Sequence, residues 1–189
     1  MVHPQPEIKW RAVRLAGMLV AKLAKTDIEA GRVYLRRLMW NLTEESGGCA
    51  WGTPELMAEA MTCNKQLADE FGSILISYAV PSENFLDHDP LRRGAVWGVG
   101  RLAQIFPEIA QSAMKYFCAS LKAEDDYIRG YSCWALKYMQ VPAGCQEIIA
   151  SLSHDTGEIE LYSQDISKYV TVADLSRETL ECLSSNQTA

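Results

Sequence analysis

The chain has 189 residues, 48% of them apolar and 22% charged, which suits a globular protein and excludes a disordered, collagen-like or heptad-rod chain. Eighteen Lys and Arg against 24 Asp and Glu give a net charge of −6, which argues against a protein that coats duplex DNA. The length favours one domain, or two small ones.

The chain opens Met1-Val2-His3-Pro4 and reaches charge at Glu7, Lys9 and Arg11, without the apolar core and small-residue cleavage site of a secretory signal. The most apolar stretch, 15–24, is broken by Lys22 and falls far short of the roughly 20 residues that span a bilayer. A cytoplasmic location is expected. None of the six cysteines (Cys49, Cys63, Cys118, Cys133, Cys145, Cys182) forms a C-x-x-C pair, so no zinc ribbon is expected. In a reducing cytosol they read as small buried hydrophobes.

Helical periodicity starts early. Val13, Leu15, Ala16, Met18, Leu19 and Leu23 form a broad apolar stripe, and Thr26-Asp27-Ile28-Glu29 reads as a capping box that opens a second helix through Val33, Leu35, Leu38 and Met39 to Leu42. A second unit starts at Thr53-Pro54-Glu55, runs to about Met61, and is followed by a helix holding Leu67, Phe71, Ile74, Leu75 and Tyr78 before Pro81. A third opens at Asp89-Pro90, breaks at Phe106-Pro107 and resumes through Ile109, Ala113, Phe117 and Leu121. The fourth covers roughly 126–139, breaks at Pro142 and ends near Leu152. Beyond it, 158–162 and 168–172 alternate polar and apolar residues and predict a short hairpin. Thr171 to Asp174 then reads as a capping box for a last helix holding Leu175, Leu180 and Leu183.

The units share an anchor: Trp10-Arg11-Ala12, Trp51-Gly52-Thr53, Arg92-Arg93-Gly94 and Ile128-Arg129-Gly130, spaced 41, 41 and 36 residues apart. That period matches one helix pair per repeat. In three units an acid precedes an arginine by four residues (Glu7–Arg11, Asp89–Arg93, Asp125–Arg129), which predicts a helix-capping acid paired with the arginine on its own face. The expected architecture is all-α: an α-α superhelix of about four helix pairs over 1–152, with a C-terminal hairpin and final helix over 153–189 packed on the same domain.

The segments 89–100 (DPLRRGAVWGVG) and 125–131 (DDYIRGY) resemble the helix openings of HEAT-like repeats of the kind first described in phycobilisome lyases, with the pattern D-x-x-[VIL]-R followed by small residues. The chain resembles a bacterial branch of that group in which a Ser46-Gly47-Gly48-x-x-Trp51-Gly52-x-Pro54-Glu55 segment joins the first two units. The resemblance covers roughly 8–152 and implies an α-solenoid, without implying a lyase.

Catalytic signatures are sparse. H-E-x-x-H, P-loop, G-x-S-x-G and G-x-G-x-x-G patterns are all absent, and Gly98-Val99-Gly100 sits inside a helical pattern with no preceding strand. His88 lies between Asp87 and Asp89, the makings of a metal or proton-relay site or simply an exposed loop. The richest stretch, 40–52, gathers Trp40, Asn41, Glu44, Glu45, Ser46, Cys49 and Trp51 in one connection, where binding residues collect on rigid scaffolds. Cys49 as a nucleophile would need a base such as His88. With Glu55, His88, Arg93, Trp97, Arg129 and Trp134 on the following units, a row of aromatic and guanidinium groups lines one end of the stack or, alternatively, plugs gaps between helices.

Charge is unevenly spread: residues 8–40 carry +6 and residues 153–189 carry −5. The basic segment suits an acidic partner, RNA or the tail of a second copy, or is the solvated face of an amphipathic helix. The functional expectation is a non-enzymatic interaction or scaffold module that binds a protein or peptide, without cofactor or metal, as a monomer or weak homodimer. Nucleic acid is disfavoured. The alternative is a small-molecule or metal site built from Glu44, Glu45, Cys49, His88 and Arg93.

Overall fold

The computed structural model describes residues 5–43, 51–163 and 166–187. The chain order is α1 (Pro6–Thr26), α2 (Ile28–Thr43), α3 (Thr53–Thr62), α4 (Lys65–Ala79), α5 (Asp89–Ile105), α6 (Pro107–Ala110), a 3₁₀ turn (Gln111–Ala113), α7 (Met114–Ser120), α8 (Asp126–Leu136), α9 (Ala143–Ser151), β1 (Glu158–Ser163), β2 (Ile166–Thr171) and α10 (Val172–Gln187). The architecture is the expected run of helix pairs followed by a hairpin and a last helix.

Local signals set the helix ends, with some shifts from the expected caps. Proline stands in the first turn of α1, α3, α5 and α6, where its missing N–H leaves no helical bond unmade. Asp27, not Thr26, caps α2: its Oδ1 accepts from Ala30 N at 3.0 Å, while the Thr26 hydroxyl donates back to Leu23 O. Asn64 caps α4 and Asp125 caps α8. Gly52 precedes α3 with φ 82°, a left-handed conformation that favours glycine, so the turn comes from its backbone rather than from a Thr53 side-chain cap. Thr171 and Asp174 form the expected reciprocal box at α10.

The first helix of each pair builds an inner row, α1–α3–α5–α8, which α10 extends; α2, α4, α6–α7 and α9 flank it. Helix α3 sits between α1 and α5 and is buried from Thr53 to Met61. The strands pair antiparallel with Ile159 opposite Val170 and Leu161 opposite Lys168. The hairpin packs back on α8 and α1, burying Ile159, Leu161 and Tyr162. At the far end, α10 locks onto the fourth pair: Thr179 Oγ1 donates to Cys133 O (2.9 Å) and Ser176 Oγ to Ile149 O (2.5 Å), each buried.

Two expectations need correction. Of the apolar stripe assigned to α1, only Val13 is buried; the helix turns Trp10, Val13, Gly17, Val20, Ala21 and Ala24 inward and leaves Leu15, Met18, Leu19 and Leu23 in solvent. The reason is that α1 is apolar on two sides, and the small residues Gly17 and Ala21 let α3 approach on one of them. The cysteines are not all reduced: Cys118 on α7 and Cys145 on α9 form a disulfide across 27 residues, with Cys63, Cys133 and Cys182 free and Cys49 outside the described residues. Among the described residues, no helix is long and apolar enough to cross a membrane.

Helix spacing turns on small residues. A Cβ on Gly17 would meet Glu59 Cβ at 2.5 Å and the Ala60 backbone N at 2.9 Å, whereas one on Gly144 would meet nothing within 4 Å. The same change should therefore have opposite signs. Gly17→Ala should lower the unfolding free energy by about 1–3 kcal/mol through overpacking, and Gly144→Ala, within α9, should raise it by roughly 0.5 kcal/mol. Urea titration of both variants checks this.

Candidate functional site

The inner helices meet the hairpin around an aromatic stack. Trp10 on α1 lies parallel to Tyr162 of β1 (4.7 Å, 5°) and tilted against Trp97 of α5 (4.6 Å), and Trp97 stacks in turn on Trp134 of α8 (6.2 Å, 21°). The polar edges are met: Trp10 Nε1 donates to Glu160 Oε1 (3.2 Å), Trp97 Nε1 to Tyr162 O (3.0 Å) and the Tyr131 hydroxyl to Glu160 O (2.8 Å). Burial, with help from Tyr127, Glu55 and Glu160, pushes the Tyr131 phenol well above its ordinary value and keeps it a neutral donor.

A cleft of about 190 Å³ opens beside this stack, lined by residues that include Lys9, Glu55, Arg93, Tyr127, Tyr131 and Glu160. Glu55 is buried in its wall. Its Oε1 pairs with Lys9 Nζ at 3.1 Å, while its Oε2 is buried and accepts no hydrogen bond from the described residues. An unmet buried carboxylate oxygen is costly and calls for an explanation. Gly94 makes room for this carboxylate, since a Cβ there would lie 2.5 Å from Oε2. The cations present lie over rings: Lys9 is 4.6 Å from the Trp10 centroid and Arg93 is 4.6 Å from that of Tyr127.

One turn along α3, the wholly buried Glu59 accepts from Arg101 Nε at 2.9 Å and lies 3.6 Å from Arg14 Nη1. Its neighbours Arg14, Arg101, Gln104, Tyr162 and Ser163 help line a second cleft of about 180 Å³.

The residues singled out by sequence are only partly brought together. Glu55, Arg93 and Trp97 line the first cleft. Trp51, 46% exposed, stands four residues before Glu55 and faces the ring of His88 at 6.4 Å; His88 precedes the cleft residue Pro90 by two. Trp40 is 65% exposed and Asn41 is exposed beside it at the end of α2. Trp97 and Trp134 are buried, as is Glu55, so the expected surface row is in large part core: the hairpin lies over the face on which the tryptophans would otherwise stand. Glu44, Glu45, Ser46 and Cys49 lie outside the described residues. Among the described residues, no group of three His, Cys, Asp or Glu is placed to hold a metal ion.

Arg93 and Arg129 both pair forward to the next unit, and Arg129 pairs within its own helix as well. Arg93 Nε donates to Asp125 Oδ2 at 2.8 Å, the acid that caps the next unit's first helix, and Arg129 Nε donates to Asp155 Oδ2 at 2.7 Å ahead of the hairpin. The expected i,i+4 partners are replaced by i,i+3 ones, Asp89–Arg92 and Asp126–Arg129. A capping carboxylate is already engaged by its own helix N–H groups and presents its other oxygen to the preceding unit. Sequence reading also passed over Lys9, Trp10, Glu59, Arg101, Tyr127, Tyr131 and Glu160. The signal for α3 was present: two glutamates one turn apart in the apolar run 54–61.

Residues 89–139, from α5 to just past α8, match the HEAT-like repeat. That segment carries a HEAT-like repeat, within a helical-repeat fold. Over 182 residues the chain is 22% identical to an Archaeoglobus fulgidus protein described as an uncharacterized protein, covering 96% of this chain and 92% of the relative.

The forward pairing has a pH consequence. The Arg129 guanidinium holds the Asp155 carboxyl below its ordinary value, with the Gly157 N–H adding to it. A depressed carboxyl pKa stabilises the fold above the unfolded-chain value of about 4 and loses that contribution as pH falls through the folded value. Asp155→Asn should cost about 2 kcal/mol at pH 7, and its gap from wild type should narrow steadily below about pH 4, as read by chemical denaturation at a series of pH values.

Proposed function

We propose that this helical-repeat protein is a non-enzymatic interaction module that captures a protein or peptide segment at the edge where α3, α5 and α8 begin. The observation that carries the reading is the Glu55 cleft. A buried carboxylate keeps one oxygen unmet beside aromatic walls, four residues after the exposed Trp51, which faces His88. Large aromatics and arginine supply most of the binding energy at protein interfaces, and Trp51, Trp40 and Arg93 offer such anchors. The donor that completes Glu55 would come from the bound segment. Asn41 and Arg129 are assigned to the same proposed surface, as are Glu44, Glu45 and Ser46 from their place in the sequence between Trp40 and Trp51.

A second reading is a small organic ligand in the same cleft, favoured by the cleft's volume and by the unmet oxygen of Glu55. Native mass spectrometry of protein purified without denaturation separates the two: a stoichiometric small adduct supports the ligand, and a co-purifying chain supports the module.

For the leading reading, Trp51→Ala and Glu55→Gln should each weaken the co-purified partner at least about tenfold, or 1.4 kcal/mol, in a calorimetric titration, with circular dichroism unchanged. Retention of wild-type affinity by both variants would remove the proposal.

A further inference from the structure

Resting on the reading of the Glu55 cleft as the seat of a bound segment, we propose that the group it receives is a primary ammonium, from a lysine side chain or a polypeptide N-terminus. The charged side chains lining the cleft are Lys9, Glu55, Arg93 and Glu160. Arg93 is answered from outside the lining, where its Nε donates to Asp125 Oδ2 at 2.8 Å. Glu160 makes no ion pair with any described residue. Its Oε1 accepts from two neutral donors, Trp10 Nε1 at 3.2 Å and the Ser167 hydroxyl. One ammonium, that of Lys9, is therefore left to serve two carboxylates, and the recess is short of a positive charge.

The unmet oxygen selects the kind of cation. Glu55 is 3% exposed; Lys9 takes Oε1 at 3.1 Å, and Oε2 accepts nothing from the described residues. A guanidinium binds a carboxylate best through two parallel bonds, one to each oxygen, and here a single oxygen remains. A quaternary ammonium has no N–H to offer it. A metal ion needs a denser ligand set than these two carboxylates, and no group of three His, Cys, Asp or Glu among the described residues supplies one. A primary ammonium is a compact charge with N–H donors to spare, and one of them meets Oε2. Lys9 shows that the recess accepts this group, since its Nζ lies against Glu55 and 4.6 Å from the Trp10 centroid. Tyr127, Tyr131 and Trp97 complete walls whose ring faces attract a cation.

NMR titration of the full chain, read at the indole N–H signals of Trp10 and Trp97, tests this with short peptides. N-acetylated, C-amidated Gly-Lys-Gly offers only a side-chain amine, and C-amidated Gly-Gly-Gly offers only an N-terminal one. N-acetylated, C-amidated Gly-Gln-Gly offers a neutral donor instead. At least one amine probe should bind saturably, the tighter of the two naming the source, and the glutamine probe should bind at least about tenfold more weakly. Glu55→Gln should weaken the amine probe at least about tenfold. Glu160→Gln, which keeps an acceptor for Trp10, should weaken it about threefold. Lys9→Met should tighten it about threefold by removing the competing charge, a gain that a purely structural Lys9–Glu55 pair would not give. Neither amine binding, equal binding of the glutamine probe, no loss in either Gln variant, or no gain in Lys9→Met overturns the ammonium assignment. If a co-purified partner then still loses affinity in Trp51→Ala and Glu55→Gln, the bound-segment reading stands and its ammonium alone falls; if the partner is unaffected, both fall.

Discussion

The contact between Trp10 and Tyr162 ties the first helix of the chain to the hairpin that follows the last helix pair. Repeat stacks are quasi-one-dimensional, each unit touching only its neighbours, so the ends are independent. Here the hairpin runs back across the inner row and places Tyr162 between α1 and α5, with Trp10 bonded to Glu160 across 150 residues of sequence. The aromatic stack adds about 0.5–1.5 kcal/mol per pair to its area burial, which is modest in energy. Its topological effect is larger, because an open arc becomes a closed body and the face a helical repeat usually offers to partners is filled by the chain's own tail.

Closure explains why charged side chains survive in the interior. Glu55 and Glu59 sit on a helix that α1, α5 and the hairpin cover, and an unpaired carboxylate there would be expensive. Each is served by cations from flanking helices: Lys9 and Arg14 on α1, and Arg101 on α5. The glycines Gly17 and Gly94 lie directly against these two glutamates, so close helix approach and buried charge are one device. The forward Arg93–Asp125 and Arg129–Asp155 pairs repeat the theme at the helix starts, joining each unit to the next.

What could be read from sequence followed from punctuation. Prolines and capping residues mark where helices begin, the 41-residue spacing counts the units, and period-two alternation marks the hairpin. What could not be read was direction. Periodicity shows that α1 has an apolar stripe at Leu15, Met18, Leu19 and Leu23, but a helix with two apolar sides does not declare which one faces the core. Trp97 and Trp134 carry surface-anchor chemistry, and only the return of the hairpin, a contact of long sequence separation, buries them. Acid–arginine spacing of four suggested pairs within a helix, yet the capping role of Asp125 leaves its second oxygen pointing at the unit before it. The Cys118–Cys145 bond has no sequence signature at all, since neither cysteine sits in a paired motif.

With the inner face occupied, binding capacity moves to the places closure leaves open. One is the cleft lined by Glu55, where the fold leaves one carboxylate oxygen unmet. The other is the outer side of α1, where Leu15, Met18, Leu19 and Leu23 are exposed among basic residues. The two differ in physics. The cleft is a small polar recess suited to recognising one group with directional bonds, whereas the α1 face is broad, non-directional and tuned by charge. The cleft is coupled to the interior through Trp10, which lines it and stacks on Tyr162, so a group held at Glu55 lies against the contact that closes the fold.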